Sequence, residues 1–150
     1  MKLAQALQLR ADTQKRIDQL RERLQNNATV QEGELPAEDP KALFAQLDQC
    51  IAELEEWIKR INKTNIHTLI EDATLTDMIA RRDCLTLKIK AYREFTESAS
   101  QIASRAARTE IKILATLPVK EIQNEVDALA RALRDTDMRI QQANWETDLL

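Results

Sequence analysis

Four stretches of the chain carry apolar side chains at helical spacing. They run over about residues 2–26, 40–63, 75–107 and 119–145. In each stretch the apolar residues recur in a seven-residue frame, which is typical of long helices that pack side by side. The pattern therefore predicts a mostly all-α fold, an elongated bundle of four long coiled-coil-like helices.

The second stretch has the widest apolar face. Three of its seven helical rows are apolar, which suits the core of a bundle and not the narrow seam of a two-stranded coiled coil. This pattern predicts that the second helix is the most buried of the four. The rows are Leu47, Leu54 and Ile61; Leu43, Cys50, Trp57 and Thr64; and Phe44, Ile51 and Ile58.

Local signals mark two of the helix starts. Asp39 before Pro40 is typical of an N-cap followed by the first helical residue. Thr74 followed three residues later by Asp77 resembles a capping box, in which each residue satisfies the other's backbone. Between the first two helices, residues 28–39 are acidic and contain Gly33, so a loop is expected there.

Two segments depart from the helical pattern. Residues 109–117 alternate apolar and polar side chains, which indicates an extended strand. Residues 66–70 are a second candidate strand, with a turn to follow. Because a lone strand leaves backbone groups unpaired, the strand at 109–117 needs a partner, either 66–70 or the same segment of a second chain.

The third helix is long for a chain of this size. At 1.5 Å per residue it spans on the order of 50 Å, whereas a compact domain of this length is nearer to about 30 Å across. We therefore expect residues 1–150 to form one elongated helical domain that assembles into a homo-oligomer, a dimer or higher. The cytoplasm is the expected compartment, since no signal peptide and no membrane-length apolar run is evident.

Charge is unevenly distributed along the chain. Residues 2–24 carry six basic and three acidic side chains, and residues 75–108 carry seven basic and four acidic ones. Residues 118–150, by contrast, carry four basic and seven acidic ones. This asymmetry favours helices that dock by complementary charge. A nucleic-acid-binding surface is the less favoured alternative, because Tyr92 and Phe95 are the only aromatics in the basic segments and base stacking needs such rings.

Two arginines occupy seam positions in apolar rows, Arg10 in the first helix and Arg82 in the third. A buried charge needs a partner, and acids on facing helices such as Asp48 or Asp137 could supply it. The expected role is a polar layer that fixes the register of the helices. An arginine that extends to the rim and an arginine that faces a ligand are the alternatives.

One corner of the sequence could bind an anion. Asn62 and Asn65 end the second helix, while Arg81, Arg82 and Asp83 lie near the start of the third. Arginine side chains and helix N-termini both favour phosphate or carboxylate. The alternative is ordinary helix capping and surface pairing.

Little in the sequence supports catalysis. With one glycine, neither a dinucleotide-binding nor a Walker loop can form. His67 is the single histidine, and it lacks zinc or di-iron spacing and a nucleophile at motif spacing. Cys50 and Cys84 are expected to be free thiols. No metal, cofactor or catalytic residue is therefore predicted, and a non-catalytic protein is favoured over an enzyme.

Several short stretches together resemble a family of small bacterial proteins labelled septicolysin. The stretches are residues 2–7, 10–17, 30–33, 38–40, 60–65, 75–77, 81–83, 110–112 and 144–145. The resemblance covers nearly the whole chain and implies a helical, coiled-coil-like fold without an established activity. Its label implies a cytolysin, but no export signal, membrane-inserting segment or apolar hairpin supports that activity here.

Three functional hypotheses follow. The first is a non-enzymatic protein that acts through self-association or protein–protein interaction by helix packing. The second is a small anion- or nucleotide-binding protein with a pocket within residues 62–83, whose ligand is unknown. The third is a nucleic-acid-associated protein. The expected partner is a second copy of the chain, with no membrane involved.

Overall fold

The computed structural model describes residues 1–105 and 112–150, without the side chains of 102–105. In these residues the chain is mostly helical, which confirms the predicted fold class. The helices are α1 (Leu3–Asn26), α2 (Pro40–His67), α3 (Leu75–Arg105) and α4 (Val119–Glu146), and two short strands, β1 (Leu69–Ile70) and β2 (Ala73–Thr74), join α2 to α3. None of the helices in the described parts of the chain combines the length and apolar content that crossing a bilayer requires.

The chain divides into two compact units. The first consists of Met1–Thr68 together with Ala143–Leu150, and the second of Leu69–Gln142. Each unit has buried apolar residues of its own. The division concerns contacts, and it does not decide whether the units unfold together, so one domain over residues 1–150 stays a prediction.

In the first unit α1 and α2 form an antiparallel hairpin. The hydroxyl of Thr13 donates to Glu53 over 3.3 Å, and Arg16 lies 3.6 Å from the same carboxylate. Thr13 is thus level with Glu53, and each further residue along α1 moves one residue back along α2. The hairpin core holds Ile17, Leu20, Leu43 and Cys50, with Leu24, Leu47 and Leu54 packed against it.

The C-terminal tail closes the first unit. Lys2 and Asp148 form an antiparallel bridge, in which the Leu3 amide donates to Thr147 over 2.9 Å and the Leu149 amide to Met1 over 2.8 Å. The Leu150 amide donates over 3.0 Å to the hydroxyl of Thr64, a residue with no exposed surface. The tail therefore satisfies backbone groups at the start of α1 and a buried hydroxyl of α2.

The predicted start of α2 is confirmed, whereas its predicted end is wrong. The carboxylate of Asp39 accepts from the Lys41 amide over 3.0 Å, which confirms the N-cap before Pro40. The helix continues to His67, four residues beyond the predicted end at Lys63. Nothing in residues 63–67 breaks a helix, and the Thr68 amide still donates to Thr64 over 2.9 Å.

The second unit begins with a β-hairpin. Leu69 pairs with Thr74 and Ile70 with Ala73, around a turn where Glu71 has a φ of 56°. The carboxylate of Glu71 lies 2.9 Å from the guanidinium of Arg139, so the turn contacts α4. The candidate strand at 66–70 is thus correct for residues 69 and 70, while 66 and 67 belong to α2.

The capping box at the start of α3 is confirmed. The Thr74 hydroxyl accepts from the Asp77 amide over 3.1 Å, and Asp77 accepts from the Thr74 amide and hydroxyl over 3.0 and 2.6 Å. The hydrogen bond from the Thr74 side chain is the main cause that lowers the pKa of Asp77. The two hydrogen bonds that Asp77 accepts are strongest when its carboxylate is ionised, whereas the bond from its amide to the Thr74 hydroxyl does not involve the carboxylate.

Replacing Thr74 by alanine should destabilise the protein by about 1 kcal/mol at neutral pH, the usual cost of losing a helix cap. Because the folded pKa of Asp77 is lowered, its stabilisation is present above the unfolded pKa and is lost as the pH falls through the folded value. The difference between wild type and variant in urea unfolding should therefore shrink in acid. A difference that stays constant down to strongly acidic pH would contradict this account.

The predicted strand at 109–117 is only partly within the described residues. Residues 109–111 lie outside them, and residues 112–117 are not in a strand, so the prediction is wrong for that part. The side chains of 112–117 are exposed, including Ile113, Leu114 and Leu117. An alternating pattern makes a strand only where a neighbouring strand accepts its hydrogen bonds, and the described residues provide none beside this segment.

Candidate interaction surface

One apolar row on α2 stays about half exposed in the folded chain. Phe44, Ile51 and Ile58, spaced seven residues apart, are 55, 47 and 41 % exposed. The prediction that the second helix is the most buried is therefore wrong, since α2 has four buried residues and the shorter α1 has five. The physical reason is that α1 covers one side of α2, whereas three rows of seven form a face wider than a single neighbouring helix can cover.

The exposed row continues the core of the hairpin. Next to it on the helix lie Leu47 and Leu54, which are partly buried against α1. Side chains seven residues apart point in nearly the same direction, so the row forms a strip on the order of 20 Å long. The combined face is apolar, continuous and open along one side of the hairpin.

The opposite side of the hairpin is polar. Here α1 and α2 line a groove of about 340 Å³, with Cys50 and Leu20 beneath it. Its remaining lining residues are Arg16, Gln19, Arg23, Gln46 and Gln49. The apolar strip of α2 therefore lies on the side of the hairpin away from this polar groove.

The two helices differ in charge at mid-length. Residues 10–23 of α1 carry five basic and three acidic side chains, whereas residues 48–56 of α2 carry four acidic and no basic ones. Some of these charges are paired locally. The ion pair with Lys59 lowers the pKa of Glu55, chiefly through a side-chain hydrogen bond. Asp48 is exposed and makes no ion pair with any described residue.

The seam arginines do not meet acids on facing helices. Arg10 is exposed and forms no ion pair within the described residues, since its long stem lets the guanidinium reach water. Arg82 pairs with its own neighbour Asp83, its Nη2 2.8 Å from the carboxylate. Within the described residues neither arginine pairs with Asp48 or Asp137, and a polar layer that fixes the register of the helices stays a prediction.

The candidate anion-binding residues belong to different units. Asn62 is exposed and Asn65 half-buried on α2 of the first unit, whereas Arg81, Arg82 and Asp83 lie on α3 of the second. Of the charged three, Arg82 and Asp83 neutralise each other locally. An anion pocket at 62–83 stays a prediction.

Among the residues that the structure describes, potential metal ligands lie apart from one another. No group of three or more His, Cys, Asp or Glu side chains within residues 1–101 and 112–150 is arranged to hold an ion. His67 is exposed at the end of α2, and its Nδ1 lies 2.8 Å from the Lys63 carbonyl oxygen. Cys50 is a buried free thiol and Cys84 an exposed one.

Sequence reasoning placed the exposed row correctly on α2 but assigned it to the core. The number of apolar rows on α2 distinguishes a row in the core from a row on the surface. A hairpin partner covers about two helical rows, so the third row of α2 is left over unless another helix reaches it. None of the described elements of the first unit covers it.

Comparisons with known proteins give a family without a function. A model for a family of unknown function, DUF6847, matches residues 10–149. The crystal structure of a functionally unknown conserved protein from Corynebacterium diphtheriae is similar at a TM-score of 0.95 and 36 % sequence identity, covering 100 % of this chain and 99 % of that one. No curated protein matches the chain in sequence. The resemblance to septicolysin-labelled proteins stays a prediction.

Proposed function

The chain belongs to DUF6847, a family of unknown function, and we propose that it works as a non-catalytic binding protein that associates with itself through the α1/α2 hairpin. A single observation carries the proposal, namely the exposed row Phe44, Ile51 and Ile58 on α2. Large apolar side chains at helical spacing, continuous with a core, are the usual mark of a surface that another helix covers.

A second copy of the chain is the occupant that the charges favour. Residues 48–56 of α2 are acidic and lie beside the apolar row. A complementary partner helix therefore has positive charge and side chains that can pack on that row. The middle of α1, with its excess of basic side chains on long aliphatic stems, meets this requirement. In a pair of identical hairpins, α1 of each copy can cover the apolar row of α2 of the other. Two such contacts form a symmetric dimer.

The expected affinity is modest. Burying the exposed half of a large apolar side chain contributes about 1 kcal/mol. Six such side chains in a dimer contribute roughly 6 kcal/mol, against which the loss of translational and rotational freedom must be set. The row alone barely offsets that loss, so the contacts that α1 of the other copy makes with it must supply the rest. We therefore expect weak association, at concentrations from about 10 µM to about 500 µM, which correspond to free energies near −7 to −4.5 kcal/mol.

The test is the solution mass of the full chain and of two variants. Wild type should approach twice the chain mass in sedimentation equilibrium over this range. Replacing Ile51 by glutamate should weaken the dimer at least tenfold, because each copy then places a carboxylate in the apolar row beside the acidic middle of α2. Circular dichroism confirms that the variant remains helical.

Leu87→Glu is the matched control. Leu87 is 67 % exposed on α3 in the second unit, so the substitution adds the same charge at an exposed helical leucine away from the row. It should leave the association of wild type unchanged. A wild-type chain that stays monomeric up to about 500 µM, or a dimer that Ile51→Glu and Leu87→Glu weaken equally, contradicts the proposal.

A further inference from the structure

The arrangement of the two copies follows from the register and charge of the hairpin. Resting on the proposed self-association, we infer that the two-fold axis runs parallel to α1 and α2, so that α1 of each copy lies antiparallel along α2 of the other. The result is a four-helix bundle in which every helix has antiparallel neighbours, the arrangement common to bundles of helical hairpins.

Symmetry leaves two ways to place the apolar faces together. An axis across the helices sets α1 on α1 and α2 on α2, whereas an axis along the helices sets α1 on α2. The first way opposes two copies of residues 48–56, each with four acidic and no basic side chains. The second way sets that stretch level with residues 10–18 of α1, which carry three basic and two acidic side chains, so it avoids opposing two acidic stretches and electrostatics favours it.

The register of the hairpin supports the same choice. Rotation about an axis along the helices preserves height, so the contact between copies repeats the register within one copy, where Thr13 is level with Glu53. The three residues of α1 that are then level with the partner's exposed row, to within one residue, are Leu7, Gln14 and Arg21. Both rows have a spacing of seven residues, so they stay matched along their whole length.

The α1 row also faces the correct way. By helical periodicity, Leu7, Gln14 and Arg21 point about 180° away from the arginines of the polar groove, Arg16 and Arg23. They therefore share the open face of the hairpin with the apolar row of α2. Gln14 and Arg21 are exposed on it and Leu7 is half-buried.

Each level then joins side chains that suit one another. At one end the half-buried Leu7 meets the partner's Ile58, so that two apolar side chains cover each other. At the other end Arg21 meets the partner's Phe44, where a guanidinium can lie over the aromatic ring. At the middle level the glutamine packs its methylene groups on the partner's isoleucine while its amide reaches water. The row thus covers the apolar strip without burying an unpaired charge.

Disulfide trapping tests the arrangement. Two full-length variants are made in a Cys84→Ser background, which removes the exposed thiol while leaving the buried Cys50 in place. One carries Gln14→Cys and the other Ile51→Cys. The inferred arrangement brings these two positions level across the interface, and a disulfide forms when their Cα atoms come within roughly 4.4–6.8 Å of each other.

Mild oxidation of an equal mixture should give a covalent dimer that contains one chain of each variant. Either variant oxidised alone should stay monomeric on a non-reducing gel. Because each variant carries only one introduced cysteine, the two introduced cysteines cannot form a disulfide within one chain. Mass spectrometry of the linked peptide identifies the pair, and circular dichroism confirms that both variants are folded.

The outcomes separate this inference from the proposal it rests on. A covalent dimer of Ile51→Cys alone places α2 on α2 and overturns the arrangement, while self-association stands. Association in sedimentation without any covalent dimer of the mixture also overturns the arrangement. A wild-type chain that never associates overturns both. A mixed disulfide that disappears when Ile51→Glu protein replaces the Ile51→Cys partner serves as the negative control.

Discussion

Replacing Leu43 by alanine should lower the free energy of unfolding by about 2–5 kcal/mol. Leu43 is 2 % exposed in the hairpin core, where it lies with Ile17, Leu20 and Cys50. The substitution removes the burial of three carbon atoms and leaves a cavity between two helices that can close only partly. For a chain of 150 residues the thermal midpoint should fall by roughly 4–20 °C.

Urea unfolding followed by helical circular dichroism measures this effect. It is done at about 1 µM protein, below the association range, so that stability does not depend on dimer formation. Leu35→Ala is the control, because Leu35 is 90 % exposed in the loop between α1 and α2. The control should change stability by less than about 0.5 kcal/mol. Equal effects of the two substitutions would show that Leu43 is not in a packed core.

Replacing Ile89 by alanine is the corresponding change in the second unit, with an expected loss of about 2–5 kcal/mol. Ile89 is 5 % exposed on α3 and borders a groove of about 420 Å³ that Ala130 and Leu133 of α4 also line. Because that groove already adjoins the side chain, part of the new cavity can fill with water. The loss should therefore lie toward the lower end of the range, and below that of Leu43→Ala.

The two core variants together test whether residues 1–150 form one domain. If they do, both variants lower the midpoint of one shared transition, and the losses add in the double variant because the sites lie in different units. Two transitions, of which Leu43→Ala lowers one and Ile89→Ala the other, would instead make the two units separate domains. Differential scanning calorimetry distinguishes the two results directly.

The elements of the fold could be predicted because their causes are local. Asp39 and Thr74 cap the helices that follow them, and each does so through side-chain oxygens within three residues of its own backbone. The seven-residue rows on α1 and α2 likewise depend on helical periodicity alone. Such features do not require knowledge of what lies across the fold.

The errors occurred where a partner had to be known. Residues 112–117 alternate as a strand does but lack a strand beside them among the described residues. Arg82 was assigned a distant acid, yet Asp83, the next residue, is its partner in the structure. In both cases the sequence pattern indicates that a segment or side chain requires a partner, but the packing of the other elements determines which partner is present.

The candidate surface shows the same limit. Phe44, Ile51 and Ile58 are apolar by sequence, and the sequence alone cannot tell a row that faces the core from a row that faces a second chain. Their exposure of 41–55 % is a property of the packed hairpin. The register in which Thr13 meets Glu53, from which the contact between copies follows, is also fixed by packing.

By itself, the sequence determined that this chain forms four long helices, where two of them begin, and that α2 has more apolar surface than one neighbour can cover. Only the tertiary structure decided that α1 pairs with α2 in one compact unit, that the tail at Lys2 and Asp148 closes it, and which apolar row stays open. The reason is that helix formation depends on residues within a few positions of each other, whereas burial depends on which surfaces meet.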